Sequence, residues 1–284
     1  HIVVTNFSDF TGILAILWMK MRRIEYEVES DGAFPNHEKT YKDKIKTFLF
    51  SSAKRCFSTA KLNDEYYWLN GVAKEKVVRY PFTSISDEDV LLQPVTDEEK
   101  LIVREKLKIR ERYVVLAVGQ FIYRKGFDIL IQAASYLSND YGFYLIGGTP
   151  TEEYTKLVEN LNLNNIYFLP FQGKESLNNY YKAANVFVHP TREDIWGLVI
   201  NEAMAKGLPV VTTNRCIAGI EMIEEDVNGK IVPVDDAQTL SEAICCCIKN
   251  LSMPQKSIDK ALNFTIQNMS IKHLEVWSTE SNNR

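Results

Sequence analysis

The sequence predicts an α/β protein with doubly wound parallel sheets in two domains, the first of them incomplete. Two observations predict it. From Val114 onward, short β-branched or aromatic runs alternate with segments whose apolar residues recur at helical spacing, the pattern of a parallel sheet wrapped by helices. Residues 1–80 repeat that alternation on a smaller scale, with too few units for a complete open sheet of the same kind.

Residues 114–118 read as a buried strand, and Phe127, Leu130, Ile131, Ala134 and Leu137 as one face of a helix. A strand at 143–146 ends in Gly147 and Gly148. Tyr154, Leu157, Val158 and Leu161 mark the next helix, followed by a strand at 166–169, a helix at 177–184 and a strand at 186–189. A helix over 198–206, closed by Gly207, leads to a strand at 209–213. In the first part, strands fall near 2–5, 25–29, 56–59 and 77–80, with helices between them. The polar, acidic stretch 87–111 reads as a linker between a partial N-terminal domain over 1–86 and a C-terminal domain over 112–262. Residues 263–284 read as a helix returning to the first domain.

At 284 residues the chain has room for two cores, and 45% hydrophobic with 25% charged residues is an ordinary globular composition. A net charge of −4, with no local basic patch, excludes nucleic acid as an expected partner. The apolar stretch 13–19 is far shorter than the roughly 20 residues of a membrane-spanning helix, and it runs into Lys20, Arg22 and Arg23. Beside Leu17 and Trp18, those basic residues suit either a half-buried helix with a solvated end or peripheral contact with an anionic membrane face. The chain opens at His1 on an apolar run without the basic region of a signal peptide, which reads as a truncated start. Cys245, Cys246 and Cys247 point about 100° apart on a helix and cannot converge on one metal ion. Cys247 falls on the apolar stripe of Leu240, Ala243, Ile244 and Ile248, and a reduced, cytoplasmic protein is expected.

Two constellations carry chemistry. The first runs from His189 to Glu202, leaving a strand, crossing a loop and opening a helix; open α/β sheets bind ligands at that edge. Unpaired amides at the helix start, with Gly197 allowing close approach, suit a diphosphate or a sugar oxygen. Asp194 in the loop and Glu202 about one turn into the helix are placed to face one opening. A carboxylate at Glu202 accepts two hydrogen bonds and suits the paired hydroxyls of a ribose. The alternative is that Asp194 is a cap and Glu202 fills the first turns of the helix. The second constellation runs from Gly119 to Gly126, where Lys125 either reaches a diphosphate at the same edge or is a solvated lysine before a helix. His189, at a strand end, is either structural or a donor contact.

Together these residues resemble the retaining GT-B glycosyltransferases, specifically glycosyltransferase family four, over nearly the whole chain. The loop from Gly119 ends Lys125-Gly126-Phe127-Asp128, like that family's Lys-Gly-x-Asp. Asp194 and Glu202, with seven residues between them, resemble its paired acidic motif. Gly147 and Gly148, Gly173 with Leu177 and Tyr181, the run Asn201 to Pro209, and Gly219 with Glu221 fall where the family has like residues.

The resemblance implies two Rossmann-like domains, the first on the acceptor side and the second holding a nucleotide-diphosphate-sugar. The implied reaction is hexosyl transfer to an acceptor hydroxyl with retention, in glycan or cell-surface polysaccharide synthesis. Lys125, Asp194 and Glu202 would carry catalysis. Lys125 would neutralise the diphosphate, Glu202 would hold the ribose, and Asp194 would position the sugar. Gly119, Gln120, Arg124, Gly173 and the backbone amides of Ile195, Trp196, Gly197 and Leu198 would complete the donor site, the amides gripping the sugar and phosphates. The leaving diphosphate accepts the proton, so neither a protein nucleophile nor a metal nor another cofactor is expected; the nucleotide-sugar is a co-substrate, and the acceptor is a glycan, a lipid-linked glycan or a small molecule.

Three positions depart from the family. It has an arginine where Gln120 stands, so either Arg124 substitutes or the charge clamp is weaker. Its first acid is a glutamate where this chain has Asp194 beside Glu193. Its acceptor-domain histidine falls where this chain has Ser30, Asp31 and Gly32, which makes Asp31 the acceptor-side candidate. Asp87, Glu88 and Asp89 look like the metal-binding triplet of the other glycosyltransferase fold but do not directly follow a strand, and they read as solvated linker. The competing readings are a nucleotide-sugar binding module without turnover and a sugar-nucleotide epimerase; the paired acids favour transfer.

Overall fold

A computed structural model describes residues 1–38 and 41–281, and the chain divides into two compact units. The first comprises His1–Phe82 and the chain from Gln267 onward; the second is Thr83–Ile266.

The first unit opens with β1 (Val3–Val4), α1 (Phe10–Arg22), β2 (Glu27–Glu29), α2 (Tyr41–Phe50), β3 (Cys56–Ser58), α3 (Lys61–Leu69) and β4 (Val77–Arg79). Its four strands lie in the order β1-β2-β3-β4, all parallel. Asp9 starts α1 by accepting from the Gly12 amide at 2.6 Å. Ile16 and Met19 turn inward against Tyr26, Val28 and Phe50, while Trp18 is exposed.

The second unit contains α4 (Asp97–Leu107), β5 (Tyr113–Val118), α5 (Phe127–Ala134), β6 (Tyr141–Ile146), α6 (Glu152–Asn160), β7 (Ile166–Leu169), α7 (Lys174–Ala183) and β8 (Val186–His189). It continues with α8 (Leu198–Ala205), β9 (Val210–Thr213), α9 (Ile217–Met222), β10 (Gly229–Val232), α10 (Ala237–Lys249) and α11 (Met253–Ala261). The parallel sheet has the order β10-β9-β8-β5-β6-β7. The chain steps from β5 outward to β7, then crosses back to place β8 on the other side of β5. That reversal opens a crevice at the strand C-termini, where such sheets take ligands. Val115, Ala117, Leu130, Phe143, Leu145 and Val188 form the core beneath it, and Cys247 joins them, buried.

The α/β, Rossmann-like architecture is as the alternation predicts. The stretch 87–111 is not the solvated linker expected from its acids. It is built into the second unit, because Thr96 and Glu99 form a reciprocal capping box that starts α4. Arg104 then anchors that helix, donating through Nε to the Ala183 carbonyl at 2.8 Å and through Nη2 to Asn185 Oδ1 at 2.7 Å. The last helix, α12 (Ile266–Ser281), packs in the first unit: Trp277 Nε1 donates to Glu27 Oε2 at 2.8 Å, and the His273 ring stacks on Phe57 at 4.4 Å. Among the described residues, no helix is long and apolar enough to cross a membrane.

Candidate functional site

Two loops at the sheet switch point meet and are locked together. After β5, the chain runs from Gly119 through a 3-10 turn at Tyr123–Lys125 to Gly126, which adopts the left-handed conformation at φ +68° and lets α5 begin. After β8, Pro190 leads into the acidic loop. A Cβ on Gly126 would lie 2.0 Å from the Pro190 carbonyl oxygen, so only glycine lets the loops approach this closely. Arg192 supplies the second link: its guanidinium grips both oxygens of Asp128, at 2.9 and 2.6 Å, and lies 3.8 Å over the Tyr123 ring. Gly126→Ala is expected to lower stability by about 2 kcal/mol, read as a shifted denaturation midpoint.

This lock presents a charge cluster. Lys125 Nζ donates to Asp194 Oδ2 at 2.6 Å, His189 Nε2 lies 2.9 Å from the same oxygen, and Arg124 Nη1 is 3.7 Å from Asp194 Oδ1. Burial would raise the Asp194 carboxyl, but the hydrogen bonds and charges of His189 and Lys125 outweigh it and hold it well below the usual carboxylate range. Burial pushes His189 down, and the permanent positive charges facing Asp194 are those of Lys125 and Arg124. Asp194 is itself fixed by the backbone, its amide donating to the Arg215 carbonyl at 2.8 Å and its carbonyl accepting from Ile217.

Of the predicted residues, Lys125, Arg124 and Asp194 come together, with His189 beneath them. Arg124 also donates to the Glu193 carbonyl at 2.7 Å, and Gln120 is exposed in the same loop. Ile195 is exposed, and Gly197, at φ +103°, opens α8, whose N-terminus no side chain caps among the described residues. Trp196 is expected to contribute its backbone amide, and its side chain turns away from the opening. Its side chain is 2% exposed and donates to Asn201 Oδ1 at 2.9 Å, so the indole wedges the loop from inside instead of meeting a ligand. Asp31 lies exposed after β2 in the first unit, where its carbonyl accepts from Thr59 at 3.5 Å.

Glu202 lines a cavity of about 770 Å³ beside the switch point, a size ordinary for a small-molecule site. Its apolar walls include Ile85, Val118, Phe171 and Leu177, and Lys125 and Asp194 are not among its lining residues. The Tyr181 hydroxyl donates to Glu202 Oε2 at 2.9 Å. Burial raises the Glu202 carboxyl, with that hydrogen bond and Lys174 pulling against it. Gly173 is the N-cap of α7, between the wall residues Gln172 and Lys174. The sequence reading missed Asp89, which lines this cavity, pairs with Lys174 at 2.9 Å and accepts through its carbonyl from Lys206 at 2.6 Å.

The family model described as glycosyl transferases group 1 matches residues 99–264, which holds both loops and the cavity acid. The chain belongs to the glycosyl transferases group 1 family. Among curated relatives, an N-acetylgalactosaminyltransferase of Campylobacter jejuni, named for N,N'-diacetylbacillosaminyl-diphospho-undecaprenol, is 22% identical over 95% of this chain and 74% of its own. Lipopolysaccharide glucosyltransferase WaaG of Escherichia coli is 31% identical over 40% of this chain and 32% of its own. Three further relatives are matched over only 48%, 35% and 46% of their lengths, so the chain spans less than half of each. In structure, a Rickettsia africae glycosyltransferase aligns with a TM-score of 0.80 at 18% identity, over all of this chain and 78% of its own. Anabaena HepE in complex with UDP aligns at 0.78 and 19%, over 95% of this chain and 76% of its own. The fold is therefore that of the GT-B glycosyltransferases.

Proposed function

We propose that the chain carries the donor-nucleotide half, and part of the acceptor half, of a retaining, metal-independent family four hexosyltransferase that takes a sugar from a nucleotide-diphosphate-sugar to an acceptor hydroxyl. The observation that carries this reading is the pairing of an acid-lined cavity with an adjacent cation cluster at the sheet switch point. Glu202 accepts from the ribose hydroxyls inside the cavity. The uncapped amides of α8, Lys125 and Arg124 meet the diphosphate, and stabilising that leaving group is the main catalytic device. Lys125 reaches it by exchanging its contact with Asp194, which then positions the transferred sugar; the diphosphate oxygen takes the acceptor proton. Solved structures of HepE with UDP and with UDP-glucose favour uridine as the base. The relatives named for undecaprenol-linked and lipopolysaccharide substrates favour a step in cell-surface glycan assembly, at the cytoplasmic face of a membrane, with Asp31 on the acceptor side.

Calorimetric titration with UDP, GDP and ADP, with and without chelator, tests it. Selective UDP binding that survives chelation is expected. A folded chain that binds none of the three would remove the donor site. Binding with no transfer to any hydroxyl acceptor would instead establish a binding module.

A further inference from the structure

We propose that Tyr181 is a positioning residue that holds the Glu202 carboxylate aimed into the cavity, and that its hydroxyl extends nucleotide binding toward lower pH. The inference rests on Glu202 as the ribose acceptor. Tyr181 is 3% exposed, and its ring lies 5.8 Å from that of Phe187 in β8. A side chain held that way has little freedom to withdraw its hydroxyl, which donates to Glu202 Oε2 at 2.9 Å. Both residues line the same cavity.

The chemistry follows from what a half-buried carboxylate lacks. Desolvation works against its charge, and each hydrogen bond to the ionised form works for it. With Oε2 committed to the tyrosine, Oε1 is the oxygen left to accept from a ribose hydroxyl. The other charged groups facing Glu202 are Lys174 and Lys206, which favour its ionisation, and Asp89, which opposes it. Asp89 is paired with Lys174, so the tyrosine hydroxyl is the neutral donor that stays in place when salt screens the others. Removing it leaves a carboxylate that takes a proton at higher pH. A protonated Glu202 offers the ribose a poorer acceptor.

Tyr181→Phe keeps the ring and removes only the hydroxyl. The carboxyl carbon of Glu202, followed by NMR in ligand-free, 13C-glutamate-labelled protein and assigned with Glu202→Gln, is expected to titrate about one pH unit higher in the variant. UDP binding by the variant is expected to weaken as pH falls, by at most about tenfold for a one-unit shift, and to recover toward the unaltered protein at pH 8. A merely structural role for Tyr181 would not give recovery with pH. An unchanged Glu202 titration in a folded Tyr181→Phe protein overturns the proposal. A shifted titration in a chain that binds no nucleoside diphosphate would uphold the tyrosine's hold on the acid and sink the ribose reading instead.

Discussion

Asp194→Ala is expected to cost the second unit about 3 kcal/mol, seen as a lower denaturation midpoint with an unchanged slope. The carboxylate holds Lys125 at 2.6 Å and His189 at 2.9 Å, and it is 9% exposed. Its removal strands a half-buried ammonium and a buried imidazole. The sign with pH follows from the depressed carboxyl. Asp194 contributes fully above the ordinary aspartate value of about 4 and loses that contribution as pH falls through its own lower one. The gap between the protein and the variant is therefore widest at neutral pH and closes in acid. A neutral-pH loss below about 1 kcal/mol would place this pair with ordinary surface ion pairs.

Glu202→Gln is expected to act in opposite directions on stability and on binding. Burial raises the Glu202 carboxyl, so the folded chain holds that proton more tightly than the unfolded one. Its contribution to stability is complete in acid, below the ordinary glutamate value, and is lost as pH rises through the raised one. At neutral pH the ionised form is a cost, and the neutral amide is expected to recover about 1 kcal/mol, a gain that vanishes near pH 4. UDP affinity is expected to fall at least about tenfold, because a charged acceptor facing the ribose is replaced by a neutral one. Thermal melts at the two pH values and a calorimetric titration measure both halves. A variant no more stable at pH 7 than the unaltered protein would show that the cavity solvates the charge.

The strands around the switch point were legible because each is a short, continuously apolar run. Residues 114–117 and 186–189 are buried in the sheet centre, and burial on both faces leaves that signature in the sequence. Lys125 and Asp194 were legible as candidates because motif spacing places both at the strand ends. Their direct contact was not, since they lie 69 positions apart and local periodicity carries no information on which loops meet. The same holds for Arg192 and Asp128, 64 positions apart. The inward turn of the Trp196 indole was not legible either, because spacing locates a residue in a loop but not the direction of its side chain. Asp89 was discounted with its acidic neighbours, although Thr96 and Glu99 already carried the start signal of the helix that folds 87–111 into the domain.

The lock between the two loops also constrains how this fold can be recombined. Arg192 reaches back to Asp128 and the Tyr123 carbonyl, the Thr191 hydroxyl reaches the Arg124 carbonyl, and Gly126 rests against Pro190. Residues 119–128 and 189–197 therefore form a single heritable cassette, although β6, β7 and the helices around them separate the two segments in the chain. A chimera that takes one segment from a relative and leaves the other must rebuild an arginine clamp, a glycine contact and a buried ion pair at once; one that takes both inherits them intact.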